Sequence, residues 1–298
     1  MQRDLTERLE SAINRIGILN QLAKWLRDLL DKIFLNGPLN PLKNFLNGRW
    51  LEHPLHSILT DVPLGAWFIA IVFDLVALIF RVPNLGVASA LAMVIGILAA
   101  IATIVTGLMD WQDVNDRELT VGLTHGLTNI FGTLLFTISF FWRMADNWQI
   151  DGGKTLLSII AYLVLTFGAY LGGTLVFRLG AMVNRNAFTS GLKDFVSVLP
   201  MQNLEENKPT RVDAKGHPVL LVRRGEEVYS IGAVCSHYGG PLEQGELKDG
   251  SIVCPWHYSR FTLEEGKVVG GPATSPLPEY ENRISNGQIQ VRMKQTKK

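Results

Sequence analysis

VPNLGVASALAMVIGILAAIATIVTGLM, residues 82–109, holds 28 consecutive positions without an Asp, Glu, Lys or Arg. Roughly 20 apolar residues span the hydrocarbon core of a bilayer as a helix, and helices of soluble proteins rarely stay charge-free that long. Residues 119–142 and 155–177 repeat the pattern without a single charge. A fourth run, residues 62–80, is broken only by Asp74 and lies between Asp61 and Arg81. The four runs read as a bundle of four transmembrane helices.

Charge sets the orientation and removes one class of function. The chain has 298 residues with 28 Lys and Arg against 27 Asp and Glu, a net charge of +1, and lacks the basic excess of a nucleic-acid binder. Four spans place both ends of the chain on one side, which collects twelve Lys and Arg up to Lys193. The other side has Arg81, Arg143 and Lys154. The excess of basic residues assigns both ends, and whatever follows the fourth span, to the cytoplasm of a multi-pass cell-membrane protein. The opening MQRDLTERLE lacks the apolar core of a signal peptide.

Before the first span, Leu5, Leu9, Ile13, Ile16, Leu19, Leu22, Leu26, Leu29 and Ile33 recur at three- and four-residue spacing among charged residues. This predicts one amphipathic helix over residues 2–35, lying against a bilayer or a partner helix and stopped by Asn36-Gly37-Pro38. Beyond Arg178 the composition changes. Short β-rich runs at 219–222, 228–231, 252–253 and 289–291 alternate with Gly, Pro, Asn and Asp turns, an all-β pattern. The chain divides into an amphipathic N-terminal segment (1–44), a four-helix membrane domain (45–180), a polar linker (181–194) and a β domain (195–298).

Both cysteines of the chain fall in the β domain, in Cys235-Ser236-His237 and Cys254-Pro255-Trp256-His257. Two loops that each supply a thiolate and an imidazole bring four ligands together when they face one another. Such a set suits a 2Fe-2S cluster with two cysteines on one iron and two histidines on the other, or a tetrahedral zinc ion.

The residues around these ligands resemble the Rieske family. Gly240-Pro241-Leu242 follows the first loop, Phe261 stands four positions after His257, and Gly270-Gly271-Pro272-Ala273 matches the family's Gly-Pro loop. The resemblance covers about a third of the chain. It implies that Cys235 and Cys254 bind a buried iron, and that His237 and His257 bind an exposed one through rings reachable by a partner. It also implies that Ser259, Phe261 and Pro272 tune the cluster, Ser259 by a hydroxyl directed at a bridging sulfur. Gly240 and Trp256 stand where high-potential members carry a second cysteine pair, so the domain resembles the ferredoxin-like members that need no disulfide. Tyr258 occupies a position where the family usually has glycine, and Tyr238 flanks the other histidine.

In the membrane part, residues 48–56 with His53-Pro54-Leu55-His56, Asp61-Val62-Pro63-Leu64-Gly65, residues 107–111 and Thr124-His125-Gly126 resemble an uncharacterised four-span bacterial membrane family. That resemblance implies no activity. His53, His56 and His125 gather at one end of the spans. They suit a haem b ligand pair, a metal, or proton and quinone chemistry, or else simple capping. Asp74, about 16 Å past Pro63 along the helix, must turn inward. Its choices are a hydrogen bond to Thr103, Thr106, Thr133 or Thr137, or a proton-transfer role. Gly168 and Gly172 are spaced for close helix packing.

The whole reads as a membrane-anchored Rieske electron carrier that passes single electrons between a donor and an acceptor protein. A redox sensor or assembly factor, or a component of a Rieske oxygenase system, is the alternative. A complete oxygenase also needs an iron held by two histidines and a carboxylate, and no histidine follows His257.

Overall fold

The computed structural model describes residues 4–35, 37–82 and 84–294. Gln2 and Arg3 of the expected N-terminal helix, and Asn36 of its expected stop, lie outside the described residues. The chain forms two units: residues up to Asn47 together with Pro54–Ala181, and Gly48–His53 together with the residues from Met182 onward.

The first unit is helical: α1 (Leu5–Asn14), α2 (Gly17–Leu30), α3 (Asn40–Leu46), α4 (Leu55–Leu59), α5 (Asp61–Phe80), α6 (Leu85–Gln112), α7 (Asp116–Ala145) and α8 (Gly152–Gly173). Among the described residues, four helical stretches are long and apolar enough to cross a membrane: Leu55–Phe80, Leu85–Gln112, Asp116–Ala145 and Gly152–Arg178. The first combines α4 and α5, joined through Thr60, which keeps helical torsions (φ −61°, ψ −30°).

The single helix expected over residues 2–35 is two helices. Ile16 turns extended (φ −77°, ψ 92°), and the Asn20 side chain donates to the Asn14 carbonyl at 2.8 Å across the break. Gly17, which loses more chain entropy in a helix than any other residue, marks the restart. The Asp4 carboxylate caps α1 by accepting from Glu7 N at 2.7 Å, and Asp151 caps α8 by accepting from Lys154 N at 3.0 Å.

Inside the bundle, the Trp67 indole on α5 stacks on Phe136 of α7 at 4.6 Å and 4°, and donates to the Met93 carbonyl of α6 at 3.2 Å. It lies so close to Gly96 that a Cβ there would run into the ring. Thr106, Thr133 and Thr137 donate to the carbonyls four residues back in their own helices.

The second unit is all-β: β1 (Val196–Pro200), β2 (Thr210–Ala214), β3 (His217–Arg224), β4 (Glu227–Gly232), β5 (Glu246–Lys248), β6 (Ser251–Val253), β7 (Arg260–Thr262), β8 (Val268–Gly270), β9 (Tyr280–Ser285) and β10 (Gln288–Met293). They pair antiparallel as three sheets, ordered β1-β10-β9, β2-β3-β4 and β5-β6-β7-β8. One core, with Leu220, Val222, Ile231 and Ile252, lies under the cysteines; another, with Val219, Leu221, Ile289 and Val291, lies beneath β1 and β10. Successive residues of β3 thus face different cores, and all four, Val219 to Val222, are buried.

The segment expected as a polar linker, 181–194, is seated on this β unit. Arg185 N donates to Ser236 O at 3.1 Å, Asn186 Nδ2 to Val234 O at 2.9 Å, and Met293 N to Leu192 O at 2.9 Å. Leu192 is buried in the second core. Its polar residues serve the loop backbone beside the cysteines, which is why their composition resembled a solvated tether.

Candidate metal centre

Two loops in the β unit repeat one backbone device. After β4, Cys235 N donates to Gly240 O at 3.0 Å and Gly239 N returns to Cys235 O at 2.9 Å. After β6, Cys254 N donates to Ser259 O at 2.8 Å and Tyr258 N returns to Cys254 O at 3.2 Å. Each loop closes from the cysteine to the fifth residue on, with the fourth residue in the left-handed region: Gly239 at φ 82° and Tyr258 at φ 60°. Glycine is the residue that takes this conformation without strain. Tyr258 takes it with a Cβ, which explains physically why glycine is usual there.

The loops bring the four ligand candidates together as two pairs. Cys235 and Cys254 pack in one buried cluster, close enough for each thiol to act on the other's ionisation. The Cys235–Cys254 contact, with the backbone N–H groups of Trp256 and His257, holds the Cys254 thiol down to about 7, while the same contact together with burial pushes Cys235 up. Backbone N–H groups of His237 and Tyr238 point to the Cys235 sulfur in the same way. The rings of His237 and His257 lie 5.1 Å apart between centroids at 87°.

These residues fit a two-iron cluster. Two imidazoles bound to one tetrahedral metal, with metal–nitrogen bonds of about 2.0–2.1 Å, put their ring centroids about 5.2 Å apart, the separation found. A Cβ at Gly240 would come 2.6 Å from Cys254 Sγ, and one at Gly271 (φ 76°) 2.6 Å from Tyr258 O, so both positions keep the pocket open only as glycine. Both cysteines are free and buried.

The histidines differ in access. His237 is 4% exposed, with the Tyr238 ring centre 4.7 Å away, and lines one small pocket with Met182 and Asn184. Only His257 is partly accessible, which corrects the expectation that both rings are open to a partner. Tyr238 is itself buried beneath the Arg185 guanidinium, 5.6 Å from its ring centre, so the aromatic surface of the site belongs to Trp256 and Tyr258. Ser259 is fully buried and its Oγ accepts from Ala273 N at 3.2 Å, which leaves its own proton to donate. Phe261 sits in the core with both cysteines, and Pro272 is buried beside His237.

The membrane candidates part company. His53 is exposed and belongs to the second unit. His56 and His125 meet, with ring centroids 6.3 Å apart. Asp74 lies thirteen residues beyond the start of α5, about 20 Å along it, and its partner is not a threonine. Arg143 of α7 donates to both of its oxygens and Ser89 donates to Oδ1 at 2.7 Å. Lys154, the other basic residue expected in a loop, is buried against Asp146 and Asp151. An arginine at the end of an uncharged run looks like a loop charge, and only its position opposite Asp74 could have marked it otherwise.

Paired thiols and paired imidazoles on facing loops of an all-β unit define a Rieske-type domain. Residues 194–281 match the Rieske [2Fe-2S] domain family and residues 52–185 match a family described as predicted membrane protein (DUF2231). The chain belongs to the Rieske [2Fe-2S] family, joined here to the DUF2231 membrane domain. It is 36% identical over 92 residues to the 3-phenylpropionate/cinnamic acid dioxygenase ferredoxin subunit of Escherichia coli K12, covering 30% of this chain and 85% of that one. Human apoptosis-inducing factor 3 is 31% identical over 96 residues, 32% of this chain, and the chain spans only 16% of that protein's length. Among solved structures, the ferredoxin of carbazole 1,9a-dioxygenase from Nocardioides aromaticivorans IC177 is 31% identical over 34% of this chain and all of its own, with a TM-score of 0.33.

Proposed function

We propose that the protein is a membrane-anchored one-electron carrier in which Cys235 and Cys254 hold one iron of a 2Fe-2S cluster and His237 and His257 the other. The observation that carries this reading is the pairing: thiol against thiol, and imidazole against imidazole at 5.1 Å. When bound, the cluster takes up and gives back one electron at a potential raised by imidazole ligation. The chain's own part is to hold the two loops rigid, to aim backbone N–H groups at the cysteine sulfurs, and to leave the edge of His257 open beside Trp256 and Tyr258.

The N-terminal segment (1–44) and the four-helix domain (45–180) form the anchor, residues 181–194 join it to the Rieske domain (195–298), and that domain faces the cytoplasm. Exposed Leu22, Trp25, Leu29 and Ile33 on and just after α2 support contact with the bilayer surface. The ferredoxin subunits among the relatives support delivery of electrons to a second protein, such as the terminal component of an oxygenase system. The experiment is iron and sulfide analysis of the detergent-purified chain, with EPR after dithionite reduction. Two irons, two sulfides and a rhombic signal lost in Cys254→Ser and changed in His237→Cys support the reading; one zinc and no iron overturns it. Fast reduction in native membranes by an added flavin reductase supports a carrier, and slow exchange favours a redox sensor. A tag after Lys298 digested only in inverted vesicles supports the cytoplasmic side.

A further inference from the structure

His56 of α4 and His125 of α7 approach each other at one end of the four-helix unit, with ring centroids 6.3 Å apart and planes at 87°. Each ring is fixed through Nδ1. His56 Nδ1 lies 2.9 Å from the Thr103 carbonyl of α6, and His125 Nδ1 lies 2.7 Å from the Gly168 carbonyl of α8. A carbonyl oxygen only accepts, so both Nδ1 atoms carry the ring proton and both Nε2 atoms keep a lone pair. The Asn129 side chain stands beside that ring, its Nδ2 donating to the His125 carbonyl at 2.8 Å and lying 3.2 Å from Nδ1. This is the outer-shell arrangement that prepares histidine for a metal.

The helices are notched to receive the rings. A Cβ at Gly107 of α6 would come 2.6 Å from His56 Cε1, and one at Gly172 of α8 would come 2.9 Å from His125 Cε1. The glycines therefore do more than bring helices together: they hold space for the imidazoles.

Distance decides what the two rings can share. With metal–nitrogen bonds of about 2.0–2.1 Å, two imidazoles at a tetrahedral angle have centroids about 5.2 Å apart, and two on opposite sides of one ion about 6.4 Å apart. His237 and His257 match the first geometry; His56 and His125, at 6.3 Å, match the second. Trans ligands leave the equatorial positions of the metal to be filled. Among the described residues no third His, Cys, Asp or Glu joins these two rings, so the equatorial donors must arrive with the metal, as a porphyrin supplies them.

We propose that His56 and His125 are the axial ligands of a non-covalently held haem iron in the membrane unit. Both cysteines of the chain lie in the β unit, so no covalent haem attachment through a Cys-x-x-Cys-His motif is available in the bundle. The site stands apart from the Rieske reading, and the experiment keeps the two separate.

The full chain is produced in haem-replete cells, both as wild type and as Cys254→Ser, purified in detergent and assayed as the pyridine haemochrome. The expected result is one haem per chain in both, with reduced-minus-oxidised bands of low-spin haem that persist when the cluster signal is gone. Near-perpendicular rings further predict a highly anisotropic low-spin ferric EPR signal. His56→Ala and His125→Ala should each lose the low-spin bands, His53→Ala should keep them, and added imidazole should restore them in His125→Gly. Wild-type protein from haem-depleted cells gives a second readout that needs no variant: titration with hemin should saturate at one equivalent. Absence of saturable haem in wild type, unchanged haem in both histidine variants, or a bare metal ion bound without porphyrin would each overturn the proposal.

Discussion

Arg143 meets Asp74 with both ends of its guanidinium, Nη1 at 2.9 Å from Oδ1 and Nη2 at 2.6 Å from Oδ2, and neither side chain retains any exposed surface. Ser89 and Ser158 complete the shell, donating to Asp74 and accepting from Arg143. Breaking a buried pair leaves one uncompensated charge, so Asp74→Asn or Arg143→Met should each cost about 3–5 kcal/mol. The double replacement Asp74→Leu with Arg143→Met should recover most of that loss. Denaturation by increasing SDS in mixed micelles, monitored by tryptophan fluorescence, measures all three; additive losses in the double variant would contradict the pairing.

Hydrogen bonds to cluster sulfur stabilise the reduced state and raise the potential. Ser259→Ala removes the one buried hydroxyl of the second loop whose proton remains to donate, and should lower the midpoint potential. Phe261→Tyr adds a hydroxyl in the core shared with Cys235 and Cys254, and should raise it. Dye-equilibrated redox titration of the purified chain reads both; an unmoved midpoint in the two variants would refute the assignment.

Tyr258 at φ 60° pays the steric cost of a Cβ in the left-handed region, about 1–2 kcal/mol. Tyr258→Gly should therefore stabilise the cluster loop by about 1 kcal/mol, less the chain entropy that glycine loses. Gly239→Ala, the equivalent position of the other loop at φ 82°, should cost a similar amount. Loss of visible absorbance on heating reports both.

Burial pushes the Tyr280 phenol up to about 12. Among the described residues its hydroxyl has no hydrogen-bond partner. Because the folded value exceeds the unfolded one, near 10, its contribution to stability is fully present below about pH 10 and is lost as pH rises from there towards about 12. Melting curves of the intact chain between about pH 8 and pH 11 should show a steeper alkaline loss for wild type than for Tyr280→Phe. Equal slopes would assign the alkaline loss to other groups.

Ligand chemistry is local, and so Cys235, His237, Cys254 and His257 stood out from spacing and residue type alone. The four spans did so too, because lipid forbids charge over a length that composition reveals. What escaped depends on contacts between distant residues. Arg143 looked like a loop charge because its partner is 69 positions away. Residues 181–194 looked like a tether because the carbonyls they satisfy, at Val234 and Ser236, belong to another part of the chain. The repeated loop device is half visible, as Cys-x-x-x-Gly-Gly against Cys-x-x-x-Tyr-Ser, since the shared torsion leaves its mark only where glycine supplies it.

The first and last strands of the β unit are hydrogen-bonded neighbours, Val196 opposite Val291, so its strand-forming segment begins and ends at one place. A body whose two ends emerge side by side can be grafted onto the end of another chain, or spliced into the middle of one, without stretching. That makes it a portable part. It accounts for the same fold serving as most of a small ferredoxin, as 16% of a much larger protein, and here as the passenger on a bundle of apolar helices.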